Sequence, residues 1–436
     1  MKRIIVAGAG HGGLAAAYNL SQKGYDVTVI ERQSRENLGY DWHDTIDMSA
    51  FTEAGIPCPD ETMYIPNIPQ VFTNPKATVK IPLPFDEKDG FMIDRKVLIS
   101  YLVDCCESVG VKFLFSASVI SPLFSTDKII GLRYCKDGKT VSAFSDLVID
   151  AAGMNSPVRK NLPDKCGILK ELKEKDVFYV YRVYYENTTG EKLDPPYSVH
   201  LFHNNRPGLD WFITEKDRCD ILVGKFGSSG KLTQKEIDEG VEDFRKLYPF
   251  MGDKIIRGGQ SGVIPLRSVL PVIVCDGYAA VGDSAGMTVP LNGCGIVLSM
   301  KAGKLLADAV IDAGDGEIDA KALWKYQYNY FQLHGKKLLI IAVFKKFFAY
   351  ISGKNVDFFL EKKILTAKQL SFRTGLPVDK EFVATVMKTC WRVWYLSFPL
   401  MDVLGSFPVL SLVCAAMPSE NDKKKVLKLA KKYERL

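Results

Sequence analysis

Three glycine-rich turns and one arginine supply the residue types that hold a dinucleotide. Gly8-Ala9-Gly10-His11-Gly12-Gly13 sets Gly8, Gly10 and Gly13 in the GxGxxG spacing. The first glycine permits a tight turn, the second lets backbone approach a pyrophosphate, and the third packs helix on strand. The helix that opens there offers amide donors and a positive dipole end to phosphates. Glu31 stands 23 residues after Gly8, with Arg32 beside it, where an acid binds a ribose hydroxyl pair. Gly282-Asp283-Ser284-Ala285-Gly286 offers Asp283 to a sugar-alcohol hydroxyl. Pro290-Leu291-Asn292-Gly293-Cys294-Gly295-Ile296 then leads into a long helix, whose amides and dipole would stabilise a reduced, electron-rich flavin. Asp150-Ala151-Ala152-Gly153 through Arg159 forms a third such turn, and Arg95 stands where a helix start can reach phosphate or ribose. Each has a bland alternative: a structural glycine turn, a plain strand-to-helix connection, or a solvated arginine. Two phosphate-type loops with flanking strands and an acid in register favour the cofactor reading.

These turns need strands before them and helices after them. Residues 2–7 and 26–31 read as short apolar strands around a helix from Leu14 to about Lys23, which predicts a parallel sheet. Residues 94–109 read as a helix, and 128–134 and 139–144 as strands around Lys136-Asp137-Gly138. Asp146–Asp150 and 278–282 are buried strands feeding the second and third loops, and the helix after the last loop runs from about Cys294 to Ala313. Between them, 177–185, 197–203, 209–214 and 219–226 are β-branched and aromatic, predicting an antiparallel sheet. A hairpin is expected at Asn74-Pro75-Lys76, and Thr233-x-x-Glu236 is a capping box for a helix to about Leu247.

The predicted fold class is α/β (α+β). A Rossmann-like domain (1–63, 91–165 and 265–330) is interleaved with an antiparallel β-sheet substrate domain (64–90 and 166–264). A C-terminal helical region, 331–436, follows and is expected against a membrane.

The 436 residues are 47% hydrophobic and 25% charged, as in an ordinary folded protein. A net charge of +6 is too mild to imply nucleic acid. Its distribution is uneven: residues 331–436 carry 19 basic and 8 acidic side chains, a net of +11, leaving −5 on the first 330. The ten cysteines show no CxxC or CxxxC spacing, so neither a zinc nor an iron–sulfur site is expected. Met1-Lys2-Arg3 runs straight into Ile4-Ile5-Val6 with no leader pattern, so a cytoplasmic location is expected.

The order GAGHGG with Glu31, IDRKVLISYL, DAAGMNSPVR and GDSAGMTVPLNGCGI resembles the flavoprotein fold of p-hydroxybenzoate hydroxylase. Within that fold the chain is most similar to the geranylgeranyl reductase family, over roughly residues 1 to 310. The resemblance implies tightly bound FAD and reduction of carbon–carbon double bonds in isoprenoid chains. It also implies that the stretch after the Glu31 strand passes near the flavin. Two features depart from the family: of its aromatic YxWxFP motif only Trp211 remains in Leu209–Thr214, and Gly39–Thr45 lacks the cysteine of many members.

An alkene reduction needs hydride from flavin N5 and a proton for the other carbon. His43 or Asp44 is the expected proton donor, with Tyr40 and Trp42 lining the pocket and Cys294 a further catalytic candidate. A structural hydrogen-bonding histidine and a packing cysteine are the alternatives. Tyr181 and Trp211 of the aromatic sheet are expected to line a long apolar site, against the alternative of plain sheet core. No ligand role is read for His11, and His200 and His203 read as one face of a surface strand, not as a metal site.

With one dinucleotide fingerprint, NAD(P)H would bind transiently or a ferredoxin-type carrier would supply electrons. Lys336, Lys337, Lys345, Lys346 and the tail lysines would meet anionic lipid on the inner face of the cell membrane, with the apolar faces of Leu338–Phe348 and Trp391–Phe398 buried at the interface. The alternative is a helical cap with a solvated lysine face. Competing readings are an FAD-dependent monooxygenase or epoxidase of an apolar substrate and an electron-transfer flavoprotein serving quinone. A halogenase lacks its WxWxIP segment here.

Overall fold

The computed structural model describes residues 1–86, 90–371, 384–385, 388 and 397–433. The elements that position the site are, in chain order, strand β1 (Arg3–Ala7), helix α1 (His11–Ser21), β2 (Asp26–Ile30), β3 (His43–Ile46), β4 (Phe91–Asp94) and α2 (Arg95–Ser108). They continue with β5 (Leu147–Asp150), β6 (Val177–Asn187), β7 (Leu209–Thr214), α3 (Gln234–Leu247), β8 (Met251–Pro265) and α4 (Ile296–Asp312). The C-terminal region contributes α5 (Lys336–Tyr350), α6 (Ser397–Ala416) and α7 (Lys423–Tyr433).

A six-stranded sheet runs Val274–Cys275, Tyr278–Ala280, β5, β1, β2, Lys112–Leu114. From Tyr278–Ala280 to Lys112–Leu114 its pairings are parallel. β1 and β5 are almost continuous apolar runs and are buried on both faces (only Arg3 is exposed), as a sheet covered by helices requires. The chain leaves β1 toward β2 and returns on its other side as β5. The crevice between the C-terminal ends of β1 and β5 is therefore a switch point, where ligands of such sheets bind.

The second sheet has seven strands in the order β8, β6, Arg218–Phe226, β7, Tyr197–Leu201, Gln70–Thr73, Lys80–Pro82. It is antiparallel except where Gln70–Thr73 joins Tyr197–Leu201 in parallel. The hairpin expected around Asn74 links its last two strands. Tyr64–Pro66, grouped with this sheet from the sequence, instead pairs with β4, which also pairs β3. The expected capping box opens α3, with Thr233 and Glu236 bonding each other's backbone. Asp94 caps α2 by accepting from the Lys96 amide.

Three apolar clusters result. The largest joins the six-stranded sheet to α1, α2 and α4. A second packs one face of the seven-stranded sheet against α5 through Ile341, Val343, Phe344 and Phe348. A third packs the opposite face against α3 through Val241 and Phe244.

The second cluster changes the reading of the C-terminal region. Ile341, Val343, Phe344 and Phe348 are spent on the sheet and Leu339 on the first cluster, not left for lipid. Lys345 is drawn in with them, and its ammonium donates to the Leu266 carbonyl. The segment 391–396 lies outside the described residues. No described helix is long and apolar enough to cross a membrane.

Candidate cofactor and active site

A cavity of about 180 Å³, open to solvent on one side, lies at the switch point, where ligands of such sheets bind. Its floor is Gly10, His11 and Gly12 of the first loop and Ala151 and Gly153 after β5. Its far wall is Val281, Gly282, Asp283, Gly293, Gly295, Ile296 and Ser299, and its near wall is Arg95, Tyr40, Trp42 and Gly262–Ile264 of β8. The glycine turns of the sequence thus converge on one space, together with the inner edge of the second sheet.

Local geometry explains the loop composition. Gly8 has φ +90°, and a Cβ there would stand 2.8 Å from the Ala151 carbonyl. Gly153, at φ +83°, has nothing within 4 Å of where a Cβ would stand, so a side chain there would protrude into open space on the cavity wall. Glu31 is buried, and its two carboxylate oxygens accept from the Ala9 and Gln33 amides at 2.8 Å each. That fixes the acid beside the first loop. Asp150 is fully buried and accepts from Ser156, Tyr278 and Ser284 hydroxyls. Arg159, also fully buried, bonds the carbonyls of Met154 and Ser284. This pair ties the second and third loops together.

Burial raises the Asp283 carboxyl above its ordinary value, against the pull of Arg95 and Arg159. Arg95 pairs bidentately with Asp44, at 2.5 and 2.6 Å, and its guanidinium lies 5.7 and 5.3 Å from the ring centres of Tyr40 and Trp42. Those rings are stacked, 4.1 Å apart and tilted by 7°. The donor set suits FAD: an acid beside the first loop, an anion-facing helix start, a hydroxyl-accepting aspartate and a cation. When bound, FAD supplies the hydride.

Ten of the expected residues line the cavity: Gly10, Tyr40, Trp42, Arg95, Gly153, Gly282, Asp283, Gly293, Gly295 and Ile296. Gly8, Gly13, Glu31 and Pro290 support the loops from behind, and Arg32 is exposed. The Cys294 side chain is exposed, and its backbone carbonyl accepts from the Val289 amide at 2.9 Å.

The proposed proton donors fare differently. Tyr40 and Trp42 line the cavity, whereas Asp41 and His43 do not. His43 sits among Asp94 (3.8 Å), Glu215 (3.7 Å) and Arg218 (3.5 Å). Burial depresses its imidazole, with Arg218 and Arg257 lowering it further and Glu215 and Asp94 opposing. A neutral imidazole that does not line the cavity is a poor acid for chemistry inside it. Asp44 is engaged by Arg95 and does not line the cavity.

Tyr181 also departs from expectation. It lies on the α3 face of the sheet with Val183 and Tyr185, because alternate residues of β6 point to opposite faces. Trp211 lies on the inner face, 4.9 Å from Arg182, and its indole nitrogen has no hydrogen-bond partner among the described residues. His200 and His203 are buried, not on a surface strand, and His203 lies beyond the strand's end. The first contacts Ser198 at 3.0 Å and the second Asp210 at 2.8 Å, both against Phe244.

Sequence reasoning missed Arg182, which pairs with buried Asp220 and lies within 5.8 Å of the Trp42, Tyr184 and Trp211 ring centres. It missed Gly262–Ile264 as well. The β-branched and aromatic run 177–185 announced a strand, but only the register of β6 against its neighbours shows which face meets the cavity.

A family profile described as an NAD(P)-binding Rossmann-like domain matches residues 6–48. The digeranylgeranylglycerophospholipid reductase of Sulfolobus acidocaldarius is 22% identical over 386 residues, 84% of this chain and 82% of that protein. The enzyme of the same name from Haloferax volcanii is 27% identical, covering 70% and 74%. Among solved structures, a geranylgeranyl bacteriochlorophyll reductase-like protein from Thermoplasma acidophilum superposes with a TM-score of 0.75 at 18% identity, over 92% of this chain and 99% of that one. A flavin-dependent brominase reaches 0.65 at 16% identity, over 90% and 99%. The structural likenesses establish a shared fold.

Proposed function

We propose that this chain is an FAD-dependent oxidoreductase of the geranylgeranyl reductase family and reduces carbon–carbon double bonds of an isoprenoid or other lipid-like substrate. The observation that carries the reading is the convergence of the flavin-type loops and the inner edge of the second sheet on one cavity. Its support is a set of curated relatives that share one reductase name over most of their lengths.

In this reading Gly8, Gly10 and Gly13 let the first loop approach the cofactor's pyrophosphate, and Glu31 takes the ribose. Arg95 supplies positive charge at the cavity wall, held in place by Asp44 and the Tyr40–Trp42 stack. Asp283 accepts from the sugar-alcohol chain. Gly293–Ile296 present the start of α4 to the flavin's electron-rich edge. The substrate chain lies between that edge and Gly262–Ile264, with Trp42 and Trp211 excluding water. Tyr40 is 38% exposed, so its hydroxyl stands where solvent can replace a proton delivered to the product.

Electrons come from NAD(P)H or a ferredoxin-type carrier. The C-terminal region bears exposed Lys424, Lys425, Lys428 and Lys431 on α7, which suit an anionic lipid surface at about 1 kcal/mol each. Binding to anionic but not neutral vesicles tests that attachment.

The deciding experiment is anaerobic reduction of the bound flavin, followed by mass spectrometry of added prenyl lipids. A gain of two hydrogens per double bond is expected. Oxygen incorporation on admitting air, with no hydrogenation, would replace this reading with the monooxygenase one.

A further inference from the structure

Between Gly10 and Gly13 the first loop carries a single side chain, that of His11. It is the first residue of α1 and lines the cavity. The first backbone bond of the helix runs from the Leu14 amide to the Gly10 carbonyl. The amides of His11, Gly12 and Gly13 therefore precede the helix ladder and face the site of an anion. Gly12 and Gly13 are wedged against Val281, Ser299 and Ala151, at 2.5–2.7 Å from where a Cβ would stand, so the loop cannot rotate to take its histidine elsewhere.

The His11 Nε2 is buried, and among the described residues it has no hydrogen-bond partner. Buried polar atoms are almost always paired, so a bare ring nitrogen on a ligand cavity marks a missing partner. Arg95 and Asp44 are the charged groups acting on it. Burial, with Arg95 adding to it and Asp44 opposing, lowers the imidazole to about 3. Before a ligand arrives it is thus a neutral ring that can place its one proton on Nε2.

Resting on the FAD reading above, we infer that His11 is a direct ligand of the cofactor, its Nε2–H donating to a pyrophosphate oxygen held at the start of α1. His11 would then complete an anion clamp with the loop amides on one side and Arg95 on the other. The clamp is a property of this chain's loop residue, since the glycine pattern itself demands no donor at that position.

The test compares wild type with His11→Ala and His11→Gln, the latter keeping an N–H donor. FAD dissociation constants come from titrating the apoproteins, with thermal unfolding of each apoprotein recorded alongside. The ³¹P resonances of bound FAD report the pyrophosphate, and the visible flavin spectrum reports the ring. A bonded phosphate oxygen predicts FAD affinity at least about tenfold weaker in His11→Ala, largely recovered in His11→Gln. It also predicts shifted ³¹P resonances with an unchanged ring spectrum. Affinity within twofold of wild type in His11→Ala, or a loss accompanied by a ring shift and unmoved ³¹P signals, overturns the inference. If His11→Ala does not fold, His11→Gln decides alone through its ³¹P spectrum, where resonances moved by the changed donor support the contact and unmoved ones overturn it. Failure of wild type to bind FAD would instead sink the functional reading on which this one rests.

Discussion

The Arg95–Asp44 pair allows stability and cofactor binding to be separated at one position. Replacing Arg95 with Met removes the cation from the cavity wall and leaves Asp44 unpaired. Losing one partner of a buried ion pair costs about 3–5 kcal/mol. The side chains of Arg95 and Asp44 are 20% and 15% exposed, so solvent screening argues for the lower end, about 3 kcal/mol. Contacts over Tyr40 and Trp42 add about 1 kcal/mol. If Arg95 also holds the cofactor's phosphate or ribose, the charge-assisted bond is worth about 1.5–3 kcal/mol, or roughly 10–100-fold in FAD affinity. A second variant, Arg95→Met with Asp44→Leu, replaces the pair by apolar groups, which is often neutral for stability. The expected pattern is a destabilised, FAD-poor single variant and a double variant that regains stability to within about 1 kcal/mol but not FAD affinity. Apoprotein unfolding and FAD titration read the two quantities. If the double variant binds FAD like wild type, Arg95 serves only to neutralise Asp44, and its place in the cofactor site is wrong.

His43→Ala should leave turnover within about threefold of wild type, because the ring faces Glu215 and Arg218 instead of the cavity; a loss of about a hundredfold would reinstate it as the proton donor. Tyr40→Phe keeps the stack on Trp42 and should lower turnover with little effect on FAD affinity; stopped-flow oxidation of reduced enzyme by the substrate measures it. Cys294→Ser should alter neither, since the thiol side chain is exposed, and rapid inactivation of wild type by a thiol reagent with protection by substrate would contradict that.

Lys345 gives a pH dependence with a definite sign. Burial lowers its ammonium from 10.5 to about 8, with Asp176 opposing and Arg267 and Lys175 adding to the shift. The unfolded chain therefore binds more protons than the folded one between about pH 8 and 10.5. The cost, on the order of 3 kcal/mol, is fully present below pH 8 and is relieved as pH rises through that window. Lys345→Met should raise the unfolding midpoint most at pH 7, and the gap between variant and wild type should narrow toward pH 10; a constant gap would show that the amine is not strained by burial.

The cofactor half of the site was legible because glycine turns are read from local constraints. Spacing alone carries the tight turn, the close approach and the helix start, so Gly10, Gly153, Asp283 and Gly293 meet on one cavity though far apart in sequence. The catalytic half was not legible because it depends on which way alternating side chains point. Tyr40, Trp42, His43 and Asp44 are neighbours in the chain, yet only the first two line the cavity. Tyr181 and Arg182 likewise divide between the two faces of β6, and a one-residue change of register would exchange them. No local pattern in an aromatic run distinguishes those faces, since both are buried, one under α3 and the other under α5 and the cofactor domain.

The charge imbalance along the chain shows how composition can point to a region without saying what each residue does there. The excess of lysine beyond residue 330 suggested that α5 would lie on lipid, but burial of Phe344 and Phe348 commits its apolar face to the sheet. Lys345 is drawn partly out of solvent as a consequence, and Lys346 lies 3.9 Å from Asp402 on α6. Exposed lysines remain at Lys354, Lys362, Lys363 and Lys368 and, grouped on one helix, on α7, whose Val426 and Leu429 anchor it while Lys424, Lys425, Lys428 and Lys431 remain exposed. A membrane contact confined to α7 has a sharper consequence than one spread over the whole region. Reversing those four charges to glutamate should abolish binding to anionic vesicles, whereas Lys336→Glu with Lys337→Glu should change it by less than about tenfold. Equal losses from the two sets would place the contact on α5 after all, and the sheet face it covers would then have to open for lipid to reach it.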